Sequence, residues 1–344
     1  MDLFRSSVLA AGLGISLPLS ASADAASTLG SYNVNPNTVT VAGVSSGGFM
    51  AVQLQVAYSK SIFGTAVIAG GAYYCAQGDI TVALGACSTG IGVSVPPLVS
   101  YSNSQASAGY IDPTSNIGGK PIYMFSGALD SVDHQLTMDD LYTYYESFTT
   151  KGKITYNKNT DAEHSWVTPD GANPCDLLLA PFLNNCGIDV EQTFLSLFYG
   201  TLNARNNGKL GGSFVQFDQN PYCPKGNCRA IDMDSTAWVF VPRNCATLEA
   251  CRIVITLHGC LSNQQTIGTA FIKGSGINEW ADTNNIIVVY PQAIASITPL
   301  NEFGCWDWWG YTNSNYALKG APQMSAIMNE VNQLTGGKEQ YLAK

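Results

Sequence analysis

Charge is what this 344-residue chain has least of. Asp, Glu, Lys and Arg together make up 12% of it, about half the usual quarter, and Lys and Arg form no cluster. A net charge of −9 without a basic run argues against nucleic acid and against anionic membranes as partners. Histidine is nearly missing, with three residues, and none of the ten cysteines falls in a CxxC pair, so a zinc site is set aside. The reading calls for no metal and no cofactor. No N-x-S/T sequon is present, and beyond the N-terminal segment no stretch is apolar enough to span a bilayer. The surface must therefore be covered by Ser, Thr, Asn, Gln, Gly and Tyr. Such an uncharged face suits adsorption to a neutral polymer, although a plain secreted enzyme would share it.

What is present begins with an export signature. Arg5 precedes the apolar run from Val8 to Leu19, which ends at Ala21-Ser22-Ala23 and Ala23-Asp24-Ala25. Residues 1–25 read as a signal peptide with small-residue cleavage sites. An even number of cysteines after such a segment favours disulfides. They fall into local couples, giving the expected pairs Cys75 with Cys87, Cys175 with Cys186, Cys223 with Cys228, Cys245 with Cys251 and Cys260 with Cys305.

The chemistry-bearing stretch is Gly43-Val44-Ser45-Ser46-Gly47, a G-x-S-x-G pattern. It follows the β-favouring Thr38-Val39-Thr40-Val41 and precedes an apolar-periodic run from Phe49 to Tyr58. Strand, tight turn and helix in that order hold a serine hydroxyl above a sheet, with the amide of Ser46 at a helix N-terminus beside it. Residues 64–71 and 121–127 read as buried parallel strands, whose following loops leave one edge of the sheet. Asp130, past the second of them, is the candidate acid. Asp133 reads instead as the N-cap of a helix over 135–148. Residues 76–118 read as loops and one short helix.

The base follows by elimination. His134 is too near Asp130 in sequence to reach over the serine, and His258 belongs to a strand ending in His-Gly. His164, after a short strand at 153–157, completes the order Ser, Asp, His. The Leu257-His258-Gly259-Cys260 run supplies the second oxyanion amide, that of Cys260, beside Ser46. In an ordinary α/β-hydrolase that strand comes before the nucleophile, yet here it comes after the histidine, as do a strand at 285–291 and a helix at 323–332. The arrangement predicts a circularly permuted α/β-hydrolase with a mostly parallel sheet: a nucleophile half at 27–203, a Gly-rich linker at 204–213 and an oxyanion half at 214–344. Residues 26–344 are expected to form one catalytic domain, with no separate substrate-binding domain expected. Pairing of Cys260 with Cys305 is expected to bring at least one of Trp306 and Trp308 within reach of the acyl group, with Tyr73 and Tyr74 as further candidates for the rim.

Five motifs in order resemble the fungal-type extracellular polyhydroxybutyrate depolymerases. They are the serine run, the Leu257 to Cys260 run, the stretch from Asn278 to Asn285, Tyr290-Pro291-Gln292-Ala293 and Cys305-Trp306-Asp307-Trp308. The resemblance covers nearly the whole chain after the N-terminal segment. It implies a permuted α/β-hydrolase that cleaves poly[(R)-3-hydroxybutyrate], with Ser45, Asp130 and His164 as the triad, Cys260 at the oxyanion and a tryptophan of the last motif as subsite wall. Gly48-Phe49-Met50 stands where the family has Gly-Tyr-Met, and the loops at 76–118 and 161–176 depart from it. The expected partner is an insoluble or oligomeric polyester, met outside the cell by a monomer. Two rivals remain at this point: a secreted feruloyl or acetyl xylan esterase with the same triad, and a polymer-adsorbing protein without activity.

Overall fold

The computed structural model describes residues 26–298 and 301–337; the expected signal peptide lies outside the described residues. Four strands come first: β1 (Val34–Val44), β2 (Gly64–Ile68), β3 (Ile122–Phe125) and β4 (Ile154–Asn157). Three short ones follow, β5 (Trp166–Val167), β6 (Asn173–Pro174) and β7 (Leu183–Asn185), and pair in a small sheet of their own. The last four are β8 (Ser213–Asp218), β9 (Thr236–Val241), β10 (Cys251–Leu257) and β11 (Ile286–Tyr290).

One eight-stranded sheet takes strands from both halves of the chain, in the spatial order β4-β3-β2-β1-β10-β11-β9-β8. The six strands from β4 to β11 run parallel, and β9 and β8 are antiparallel additions at one edge. Parallel strands buried on both faces need apolar side chains at every position, and β11, Ile-Ile-Val-Val-Tyr, is buried throughout. Alternate residues serve opposite cores. Ile253, Ile255, Ile287 and Val289 point into one, while Val254, Ile286, Val288 and Tyr290 point into the other.

The longer helices are α1 (Ser46–Ala57), α2 (Val95–Ser107), α3 (Gln135–Glu146), α4 (Val190–Tyr199), α5 (Ile277–Asn284) and α6 (Pro322–Leu334). Every residue of α1 is buried, as befits a helix apolar all round. Some of its polar groups are satisfied inside: Gln53 donates to the Asp307 carbonyl at 3.0 Å, and the Gln55 side-chain oxygen accepts from the Tyr145 hydroxyl. Helix α2 is longer than the short helix expected within 76–118. Its Pro96 and Pro97 occupy the first turn, where no amide hydrogen bond is lost, and only Val95, Leu98 and Ser102 are buried. A face that narrow leaves little periodic signal in the sequence.

The 204–213 segment is not a free linker. The Asp282 carboxylate accepts bonds from the amides of Gly211 and Gly212 and from the side-chain amide of Asn206, at 2.9, 2.8 and 2.7 Å. All five expected disulfides are formed.

Candidate active site

Strand register sets the level of the site. Val44 of β1 pairs with Ile68 of β2, Ile68 with Phe125 of β3, and Phe125 with Asn157 of β4. On the other side Gly43 pairs with Leu257 of β10. The segments that carry Ser45, Asp130, His164 and Cys260 therefore all leave the sheet from its C-terminal edge, where open parallel sheets place their ligands.

Ser45 occupies the turn between β1 and α1 with φ 57° and ψ −127°. Such a conformation is costly for a residue with a side chain and is kept where surrounding structure enforces it. Its amide donates to the Ile68 carbonyl at 3.0 Å and its carbonyl accepts from Phe49 at 3.0 Å. The neighbouring glycines allow the approach: a Cβ at Gly47 would lie 2.4 Å from the carbonyl oxygens of both Leu257 and His258. A Cβ at Gly259 would lie 3.1 Å from the Ser45 Cβ and 3.7 Å from its Oγ. The two distant motifs are thus packed backbone against backbone.

Asp130 and His164 are brought together by a lace of backbone bonds. Ser126, Ala128 and Leu129 donate to the carbonyls of Asn157, Thr160 and Ala162 at 2.9, 2.8 and 3.1 Å. His164 Nδ1 then lies 2.9 and 3.1 Å from the two Asp130 oxygens. The Asp130 Oδ1 also accepts the amides of Val132 and Asp133 at 3.0 and 2.8 Å, which fixes the carboxylate before any substrate arrives. Burial works against a charged imidazole, but the bond to Asp130 and its charge, then Asp133 and Glu163, outweigh it and raise the His164 pKa to about 8. A histidine so placed favours the imidazolium that forms when it takes a proton.

His258 has a different task. Its Nε2 accepts the Ala293 amide at 3.1 Å, so the proton sits on Nδ1, which donates to the Gly259 carbonyl at 2.8 Å. Burial lowers its pKa to about 4 and keeps this neutral form. In a trans peptide the carbonyl and the next amide point opposite ways, so holding the Gly259 oxygen also sets the direction of the Cys260 N–H. Trp306 lies beneath, fully buried, its indole N–H donating to the His258 carbonyl at 3.0 Å.

A cleft of about 340 Å³ opens over these groups, lined by Ser45, His164, Ser165, Gly259, Cys260 and apolar side chains. A recess of about 190 Å³ adjoins it across Leu84, Cys260, Phe303 and Cys305, and reaches Trp308 and Trp309. Among the expected substrate contacts, Trp308 is placed in that recess, stacked on Phe49 at 3.9 Å. Trp306 is not: it is bonded to the His258 carbonyl and lines neither cavity. Tyr73 and Tyr74 line neither cavity. Tyr73 is buried, with its hydroxyl bonded to the Ala317 carbonyl, and Tyr74 is stacked on Tyr101 at 3.6 Å. Sequence reasoning missed the apolar rim of Leu84, Val132, Leu178, Leu261 and Phe303, each at least 38% exposed. The run Leu177-Leu178-Leu179 inside a disulfide loop was a signal for it. Asp133 is not a helix cap either: His134 stands at that position, and Asp133 is buried at 4% exposure.

Chains of similar sequence and fold carry one description. A poly(3-hydroxybutyrate) depolymerase of Delftia acidovorans is 41% identical over 333 residues, 95% of this chain and 66% of that one. A polyhydroxybutyrate depolymerase of Talaromyces funiculosus is 38% identical over 334 residues, 93% of this chain and 96% of that one. This chain belongs to the polyhydroxybutyrate depolymerase family. The crystal structure of the Penicillium funiculosum depolymerase superposes with a TM-score of 0.84 at 37% identity, covering 91% of this chain and all of that one. A serine-to-alanine depolymerase variant complexed with an R3HB trimer gives the same TM-score at 36% identity and the same coverage. No family model matches the sequence. The chain spans 66% of the length of the Delftia relative.

Proposed function

We propose that this protein is a serine esterase that hydrolyses poly[(R)-3-hydroxybutyrate] to monomer and short oligomers. The observation that carries the reading is a serine on a strained strand-to-helix turn, sharing one cleft with a buried His164–Asp130 pair, in a chain of the depolymerase family. Ser45 attacks the ester carbonyl while His164 takes its proton, and Asp130 orients the ring and stabilises its charged form. The amides of Ser46 and Cys260 receive the oxyanion. Donors so placed are each worth about 3 kcal/mol in the transition state. His164 next protonates the leaving alcohol, and water repeats the cycle on the acyl-enzyme. The apolar rim gives a water-insoluble chain a surface to rest on, and Trp308 and Trp309 extend that surface away from the serine. Two chain halves sharing one sheet support a single catalytic domain. The N-terminal signature and the five disulfides support secretion.

The test is hydrolysis of a polymer film with products read by mass spectrometry, beside feruloyl and acetyl xylan controls. Hydroxyacid monomer and dimer from the film alone are expected, with Ser45→Ala lowering the rate by about 10⁴-fold or more. Turnover of the xylan esters without attack on the film would sink the polyester assignment. Full activity in Ser45→Ala would sink the triad.

A further inference from the structure

We propose that Asp133 is a positioning residue for ester hydrolysis: a second buried carboxyl group that faces His164 beside Asp130 and stabilises the imidazolium as Ser45 attacks. The inference rests on the catalytic reading above. Its basis is a cluster built by three separate segments. The turn from Asp130 to Asp133 folds on itself, with the Asp133 amide bound to the Asp130 carboxylate at 2.8 Å, so two acids share one small interior. Both are nearly closed off from solvent, at 8% and 4% exposure. The next residue ties this turn to the loop following the Cys75–Cys87 disulfide, through a bond from the His134 amide to the Ser88 carbonyl at 2.8 Å. His164 comes from the loop before β5.

The charged groups acting on the Asp133 carboxyl are His164 and Asp130, and the Ser88 hydroxyl is its polar neighbour. The acidic groups acting on His164 are Asp130, in contact with the ring at 2.9 Å, then Asp133 and Glu163, whose half-buried carboxylate accepts the His164 amide at 2.7 Å. A structural N-cap would turn its carboxylate to the helix amides and to water. Asp133 does neither, since helix α3 has no side-chain cap bond at its start. Burial, then the Asp130 charge, raises the Asp133 pKa to about 7. Asp133 and His164 interact and titrate as a coupled system, so the ionised Asp133 carboxyl acts on the ring. The new anion raises the basicity of the ring and stabilises it once protonated.

The test is the pH profile of kcat/KM on a short soluble ester for wild type, Asp133→Asn and Asp133→Val, normalised by active-site titration with an organophosphonate. Normalisation counts only competent enzyme, so a loss of folded protein does not imitate the effect. Removing the charge is expected to move the acid limb to lower pH by about half a unit to one unit, and to lower the plateau kcat several-fold with KM unchanged. A limb that stays in place in both variants overturns the inference. Should neither variant fold, the His164 ring resonance of the wild-type protein decides: two inflections support it and a single one overturns it. Ser45→Ala separates the readings. Turnover lost there with an unmoved profile in Asp133→Asn overturns this inference alone, whereas turnover retained overturns the catalytic reading and this one with it.

Discussion

Glu330 shows at the scale of one residue how far the interior tolerates charge. It lies in α6, fully enclosed, and among the described residues neither carboxylate oxygen has a hydrogen-bond partner. Burial alone raises its pKa well above the ordinary glutamate value. A group whose folded pKa is raised gives its full stability below the unfolded value and loses it as pH climbs toward the folded one. Glu330→Gln removes this linkage. Urea unfolding should find the variant more stable than wild type at pH 8 by more than about 1 kcal/mol, and the difference should vanish near pH 4. An equal difference at both would show that the carboxyl is not held neutral by the fold. Residue roles were legible where a count or a motif constrained them. With three histidines, elimination singles out His164, which the structure brings beside Asp130. It could not decide between Trp306 and Trp308, because adjacent aromatic positions in a loop have no fixed period. Asp133 was misread because an acid just before a helix usually caps it, and nothing local shows that the turn points it inward.

At the scale of elements, the strands were readable because buried parallel strands leave continuous β-branched runs. The loops that shape the cleft were not, since their apolar residues face outward and follow no period. The disulfides explain how such loops keep their form. Leu84 lies between Cys75 and Cys87, Leu178 and Phe182 lie between Cys175 and Cys186, and Leu261 and Phe303 lie between Cys260 and Cys305, and all of them line the cleft. Exposed leucines would otherwise gain by folding inward, at about 25 cal/mol per Å² of apolar surface hidden from water. Closing a loop of this size removes roughly 3 kcal/mol of chain entropy from the competing open states. The double variant Cys175→Ser/Cys186→Ser should therefore hydrolyse a polymer film several-fold less well, while turnover of a short soluble ester falls far less. An equal loss on both substrates would mean that the bond supports the fold and not the rim.

On the scale of the whole molecule, the question is why the sheet needs both ends of the chain. Counting strands from β8 instead of β1 turns the spatial order into 1-2-4-3-5-6-7-8, a nearly sequential path in which the nucleophile strand is fifth. A circular permutation, as expected from the sequence, would produce such an order. The first and last described segments lie together: the Tyr32 amide bonds to the Leu334 carbonyl at 2.9 Å, and Gln333 donates to the Leu29 carbonyl at 3.0 Å. The 204–213 segment runs along the surface, tied on either side of Gly208 to Asp282 through Asn206 and Gly211. A chain trimmed to these segments meets both conditions for moving its ends, namely neighbouring segments to join and an exposed site for the cut. A chain opened between Asn207 and Gly208, with a short Gly/Ser bridge from Gly337 to Ser27, should fold with the same five disulfides. It should also retain soluble-ester turnover within about threefold of the parent. Circular dichroism and disulfide mapping check the first expectation and initial rates the second. Failure to fold would show that the strap at 204–213 holds the two halves in register.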